Sequence, residues 1–510
     1  MPKCSSTAMC ARVNRLANAG CLAALAAWSI VCLASPAQAG GWANPLNLSS
    51  TARDSLFPSI VVDQFGGSHV VWCEAEPNSS CDEILYSHFD GQSWSQPVDI
   101  VAAATGQIAH SPALAIDSLG VLHLVWVGGF TNRVMYSRAP GQSAATARAW
   151  SQPISVGGIA ALTELPDVAV DRDDAIHVVF AVRHGEGSGI FHVMSSDGSN
   201  WTAPIPVYAN DAGDRTVWQP RLAIDSGNGL HVVWSSAGYP ETYPSSALDY
   251  ARSLDSGVTW AYHTSFNGPY SLAGILAKGD DEIHIVWSGT ASDRHKFHSW
   301  SRDRGSTWSA PSQTNPNGGL EGWSSLGVDS VGDIHLLQVA GAVLTHQTWT
   351  RGNYWSAPEQ LLAMLPGAPN HPTNPDLAVG LGNQLHAVVS HYVKATDSAT
   401  GWQFDIYYTH CTLENAPAIA ARPSPTRLGP QSTAIAVTTT SSGTALSTRA
   451  ASSVPSTSST PTPEPRKNPS ETNRGVALGA LQVGILCAAL VTVVVAALHL
   501  VRRKGHRLRW

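Results

Sequence analysis

Seven histidines recur along the 510-residue chain at a near-constant interval. They are His69, His123, His177, His231, His284, His335 and His386, spaced 54, 54, 54, 53, 51 and 51 residues apart. Imidazoles bind metals and carry protons, so a repeated set raises the chemistry of a metal ring. Metal ligands must converge on one point at about 2 Å, and equivalent positions of successive repeats stand far apart. Each histidine sits instead in an apolar run such as His69-Val-Val-Trp72 or His284-Ile-Val-Trp287. In five repeats an aspartate lies six residues earlier, at Asp63, Asp117, Asp171, Asp225 and Asp329. Across a hairpin that pair satisfies a buried imidazole. The histidines are therefore read as structural, with no metal or other cofactor expected.

A second set of reactive side chains falls in the loops between successive repeats. It comprises Arg53, Asp54, His110, Glu164, Asp214, Arg215, Trp218, Glu321, Trp323 and His371. Tryptophans beside carboxylates suit neutral sugars, by stacking on ring faces and hydrogen bonding to hydroxyls. Paired carboxylates also suit glycoside hydrolysis when one is a raised-pKa acid.

Positioning such residues requires a scaffold, and the repeat supplies one. A first strand begins near proline, as in Pro58-Ser-Ile-Val-Val-Asp63 and Pro166-Asp-Val-Ala-Val-Asp171. The histidine strand follows a polar turn, a third strand ends in aromatic-Ser pairs, and a fourth carries tryptophan, as in Trp94-Ser-Gln-Pro97. Four short strands per unit form one blade of a radial array. The outer-strand tryptophans, Trp42, Trp94, Trp150, Trp201, Trp260, Trp308 and Trp355, also number seven. Trp42 precedes the first histidine and no equivalent follows the seventh. The fold class is thus all-β, a seven-bladed β-propeller whose N-terminal strand closes the last blade; six or eight blades are the lesser alternatives. Closure removes two open sheet edges.

Two turns carry a family resemblance. Ser253-Leu-Asp255-Ser-Gly257-Val-Thr-Trp260 and Ser301-Arg-Asp303-Arg-Gly305-Ser-Thr-Trp308 match the Asp-box, or bacterial neuraminidase repeat, and Asp90 and Asp197 open shortened versions. Over roughly residues 40–415 the chain resembles the sialidase-like propeller superfamily. The resemblance implies that Ser253, Asp255, Gly257, Trp260, Ser301, Asp303, Gly305 and Trp308 build structural turns away from any active site. It also implies a carboxylate clamp of three arginines, the first in an Arg-Ile-Pro motif. Here that stretch reads Ser55-Leu-Phe-Pro58. Sialidase chemistry is not expected, and no catalytic residue is assigned.

The ends set the compartment. Residues 1–39 read as a secretory signal with Lys3, Arg12 and Arg15 ahead of an apolar core and Ala37-Gln38-Ala39 at the cleavage site. Residues 421–474 form a Ser/Thr/Pro-rich stalk. Residues 475–501 hold no Asp, Glu, Lys or Arg and suit a single transmembrane helix, followed by a basic cytoplasmic tail at 502–510. Residues 40–420 are the head. It holds 16 of the 30 Lys and Arg but 35 of the 37 Asp and Glu, a formal charge of −19. Such a surface disfavours nucleic acid. Cys73 and Cys81 read as a disulfide with Cys411 left free, although spacing alone leaves other pairings open.

The expectation is a single-pass plasma-membrane protein with its propeller outside. It recognises a glycan or an extracellular protein, without catalysis, on the inter-blade loop face. The alternatives are a glycoside hydrolase or lyase using carboxylates of that face, and a purely structural adhesion module.

Overall fold

The computed structural model describes residues 41–414, apart from 77–78, 159–162, 241–246, 269, 290–294, 316–321, 351, 382 and 396–400. The expected leader, stalk, membrane span and tail lie outside the described residues. Seven antiparallel four-stranded sheets follow one another along the chain. Blade 1 runs through Asp54–Val62, Ser68–Ala75, Glu83–Phe89 and Val98–Ala102. The inner strands of blades 2 to 6 are Ile108–Ile116, Thr163–Val170, Arg215–Ile224, Tyr270–Lys278 and Ser324–Val328. Blade 7 contributes Thr373–Gly380, Gln384–Lys394 and Trp402–Thr412. Its fourth strand is Leu46–Asn47 from the other end of the head. Leu46 pairs with Tyr408 and Asn47 with Tyr407, extended by Ala43 N–H to the His410 carbonyl at 2.8 Å. The ring closes as the tryptophan count predicts.

The histidine strand lies within each sheet and is buried on both faces, as at Ser68–Ala75. Its continuous apolar run, rather than an alternating one, follows from that position. Six of the seven histidines are held from two sides, and His386, with Gly380 where the aspartate would stand, among the described residues through Nδ1 alone. The Nδ1 of each meets a phenol or imidazole of the third strand at 2.6–3.0 Å: Tyr86, Tyr136, His192, Tyr250, His298, His346 and Tyr408 in turn. The Nε2 faces the aspartate six residues earlier, at 3.2 Å for His123 and His231 and 3.3 Å for His177. For His69 and His335 that separation is 3.6 and 3.5 Å. In blade 5 Glu282 takes the place, 3.1 Å from His284. Each of these aspartates also accepts two N–H groups of its own turn, as Asp225 does from Gly227 and Gly229 at 2.8 and 2.7 Å. One carboxylate thus shapes the hairpin and orients the imidazole.

The third-strand ring then receives the tryptophan of the next blade. Trp150 meets Tyr86, Trp201 Tyr136, Trp260 His192, Trp308 Tyr250 and Trp355 His298; Trp42 meets His346 and Trp94 meets Tyr408. All seven contacts are edge-on, with centroids 4.6–5.9 Å apart, the geometry that ring quadrupoles favour. An aspartate–histidine–aromatic–tryptophan belt therefore links neighbouring blades around the ring. Its last two links run through Trp42 and Tyr408, where the first and last strands of the propeller meet.

The two turns at residues 253–260 and 301–308 face the same contacts. Asp255 Oδ1 accepts Ser253 Oγ–H at 2.7 Å and Thr259 N–H at 2.8 Å, while Gly257 N–H donates to Ser253 Oγ at 2.8 Å. Asp303 repeats the pattern with Ser301, Gly305 and Thr307. Gly305 has φ 79° and lies against the Tyr250 hydroxyl, leaving no room for a Cβ. Cys73 and Cys81 are disulfide-bonded with Cα atoms 5.7 Å apart, and Cys411 is a buried free thiol.

Candidate functional site

The inner strands share a local irregularity that shapes the centre of the molecule. In six blades the ladder to the second strand skips two residues, as between Leu56 and Ser59 or Trp218 and Arg221. The first skipped residue has positive φ: Phe57 52°, Ser111 53°, Leu165 44°, Gln219 57°, Leu272 57° and Asn374 50°. In all but blade 5 a proline follows, which donates no N–H and so suits a break in pairing. Left-handed backbone at residues such as Leu165 costs roughly 1–2 kcal/mol. The six bulges, and the regular ladder of blade 6, bring one residue per blade to a common register, opposite the second residue after the histidine. These are Ser59, Ala113, Asp167, Arg221, Gly274, Ser325 and Asp376. All seven line a central cavity of about 250 Å³ walled by inner strands of every blade and open to solvent.

Four of the seven form a collar that ties blade to blade. Ser59 Oγ accepts Leu114 N–H at 3.2 Å, Asp167 accepts Leu222 N–H at 2.9 Å, Ser325 Oγ accepts Leu377 N–H at 3.1 Å and Asp376 accepts Ile60 N–H at 3.0 Å. Asp376 also accepts Ser59 Oγ–H at 3.3 Å, Ser325 Oγ–H at 2.9 Å and its neighbour Leu377 N–H at 3.0 Å. Its four acceptor positions are filled. Asp167 accepts one further bond, from Val168 N–H at 3.1 Å. Burial pushes the Asp167 carboxyl up, and the charge of Asp376 adds to this, against the pull of Arg221. Gly274 stands where a Cβ would lie 3.0 Å from the Ser324 carbonyl, so blades 5 and 6 approach directly.

Arg221 breaks the collar pattern. Its guanidinium lies over the ring of Trp323, 5.7 Å from the centroid. That distance is within cation–π range. Trp323 belongs to the segment entering blade 6 and also lines the cavity. Its backbone is held by Val339 N–H donating to the Trp323 carbonyl at 3.0 Å. The buried Lys296 ammonium donates to the Gly322 carbonyl and, at 3.0 Å, to Ser324 Oγ. A cation, a carboxylate and an indole thus share one cavity with several hydroxyls.

Among the described residues singled out from sequence, Trp323 lines this cavity. Arg53 lies in an ion cluster with Glu76, Asp82 and Glu83. Asp54 accepts Phe404 N–H at 2.9 Å. His110 Nδ1 meets Ser111 Oγ at 2.9 Å, and burial lowers the imidazole to about 4. The Asp214 carbonyl accepts Tyr239 N–H at 2.7 Å, and Arg215 bonds Ser236 Oγ with Asp249 3.8 Å away. Trp218 is buried beneath Arg183, and His371 Nδ1 contacts the Pro372 carbonyl at 2.7 Å. Glu321 and the Glu164 side chain lie outside the described residues. Asp167, Arg221 and Asp376 were not predicted as site residues. Their shared signal is a charged residue directly after the inner-strand proline, at Pro166-Asp167, Pro220-Arg221 and Pro375-Asp376.

No family model and no curated protein matches the chain. Among solved structures it is similar to the polysaccharide lyase Uly1, at 9% identity over 73% of this chain and 100% of that one, with a TM-score of 0.49. A NanB sialidase from Streptococcus pneumoniae gives 13%, 74%, 70% and 0.42 for the same measures. An Aleuria aurantia lectin gives 14%, 63%, 100% and 0.39. Likenesses of this size carry no argument about activity or ligand, and the fold rests on the seven sheets themselves.

Proposed function

We propose that the chain is a cell-surface recognition protein whose propeller binds a glycan at the central cavity without cleaving it. The observation that carries this reading is the state of the two cavity carboxylates. Glycoside hydrolysis by two carboxylates needs one to donate a proton and the other to attack or activate water. Asp376 has every acceptor position engaged by the collar, so it is unsuited to act as base or nucleophile. Arg221 and Trp323 offer instead the donor fork and ring face that sugar binding uses, in a cavity lined by all seven blades. The Asp-box turns favour descent from the sialidase-like superfamily, with the enzymatic arginine motif absent. The acidic head argues against nucleic acid as the partner. The apolar run at 475–501 and its basic tail favour anchoring in the plasma membrane, the head outside.

The test incubates the full chain with a panel of oligosaccharides and polysaccharides, measuring retention and any new reducing or unsaturated ends. Retention with intact sugars is the expected result. Cleavage abolished by Asp167→Asn would replace this reading with a hydrolase or lyase whose proton donor is Asp167.

A further inference from the structure

We propose that the cavity takes the neutral end of a sugar chain, a ligand hydroxyl bridging Arg221 and Asp167. This rests on the glycan reading above and names its ligand class. The guanidinium offers five N–H donors in a fixed fork. Among the described residues it makes no hydrogen bond or ion pair and is placed by its contact with Trp323. Asp167 accepts one backbone N–H on each oxygen, which leaves acceptor capacity on both. Both groups line the same cavity, yet no ion pair joins them. Each is tethered: Arg221 on the indole, Asp167 on Leu222 and Val168.

A gap between a free donor fork and an acceptor is matched by a group that accepts from one and donates to the other. A hydroxyl does both. An acidic sugar would gain Arg221 but place its charge beside Asp167 and Asp376, where like charges repel. A lone cation would meet Arg221. Neutrality is what the three charges select. Inner strands of all seven blades wall the cavity, so entry runs along the propeller axis. An approach along that axis suits the end of a chain.

Ligand-observed NMR titration of the full chain tests this with methyl glycosides of glucose, galactose, mannose and fucose, against those of glucuronic and galacturonic acid. At least one neutral glycoside is expected to bind at least tenfold more tightly than either acid. Arg221→Met and Asp167→Asn should each weaken it at least tenfold without a change in melting temperature. Asn retains an acceptor for Leu222 N–H. If that variant melts early, Arg221→Lys, which keeps the charge and loses the fork, should weaken binding tenfold. A preference for the acids, lost in Arg221→Met and kept in Asp167→Asn, overturns the neutral-ligand proposal and leaves the glycan reading standing. Neutral binding indifferent to every variant also overturns it. No binding by any glycoside removes both.

Discussion

Protonation of buried side chains sets the behaviour at the residue scale. Burial lowers His192 and His346 to about 3 and His386 to about 4, and holds His298 well below its ordinary value of 6.5. An unfolded chain binds protons on these imidazoles below about pH 6.5, whereas the folded one resists. Stability is therefore complete above that pH and falls as pH drops towards the folded values, by about 1.4 kcal/mol per pH unit for each histidine. Hydrogen bonds hold Asp255 and Asp303 at about 2, the largest coming from Ser253 and Thr307 respectively. Their contribution is present above about 3.8 and is lost towards pH 2. Denaturant midpoints should hold level from pH 7.5 to about 6.5 and fall from there to pH 5; a profile flat throughout would contradict the neutral buried imidazoles. Asp376→Ala strips partners from two N–H groups and two hydroxyls, and about 3 kcal/mol should be lost in equilibrium unfolding. The histidine–aspartate pairs were legible in sequence because a six-residue offset across a hairpin is local. Arg221 and Asp167 were not, because their meaning depends on which blades face each other across the axis.

Elements act through the contacts between blades. Trp308 joins Tyr250 and Phe266 of blade 4. Trp308→Ala should cost about 3–5 kcal/mol, as for other large aromatic truncations. Calorimetry of that variant checks the belt, and an unchanged melting temperature would contradict it. The Cys73–Cys81 bridge closes a loop of eight residues within blade 1. Loop-closure entropy gives it about 2–3 kcal/mol, which reduction should remove from the unfolding free energy. Strand order, blade count and the tryptophan of each blade could be read in advance, since each repeats with the histidines. The bulges of six inner strands could not, because the positive φ of Phe57 or Leu165 is imposed by neighbours rather than announced by residue type.

At the scale of the whole molecule the N-terminal strand decides whether the ring is sealed. Leu46–Asn47 completes blade 7, and Trp42 supplies its link to blade 6. Removing residues 40–48 should expose the edge of Trp402–Thr412 and promote association between copies, visible by light scattering. The same closure completes the wall of the cavity on which the functional reading turns. The most direct test of that reading is a glycan and polysaccharide array probed with the full chain and with Trp323→Ala side by side. The predicted result is selective retention of a small set of uncleaved glycans by the natural chain, lost in Trp323→Ala at unchanged melting temperature. No retention by the natural chain, or equal retention by both, would contradict glycan recognition at the central cavity.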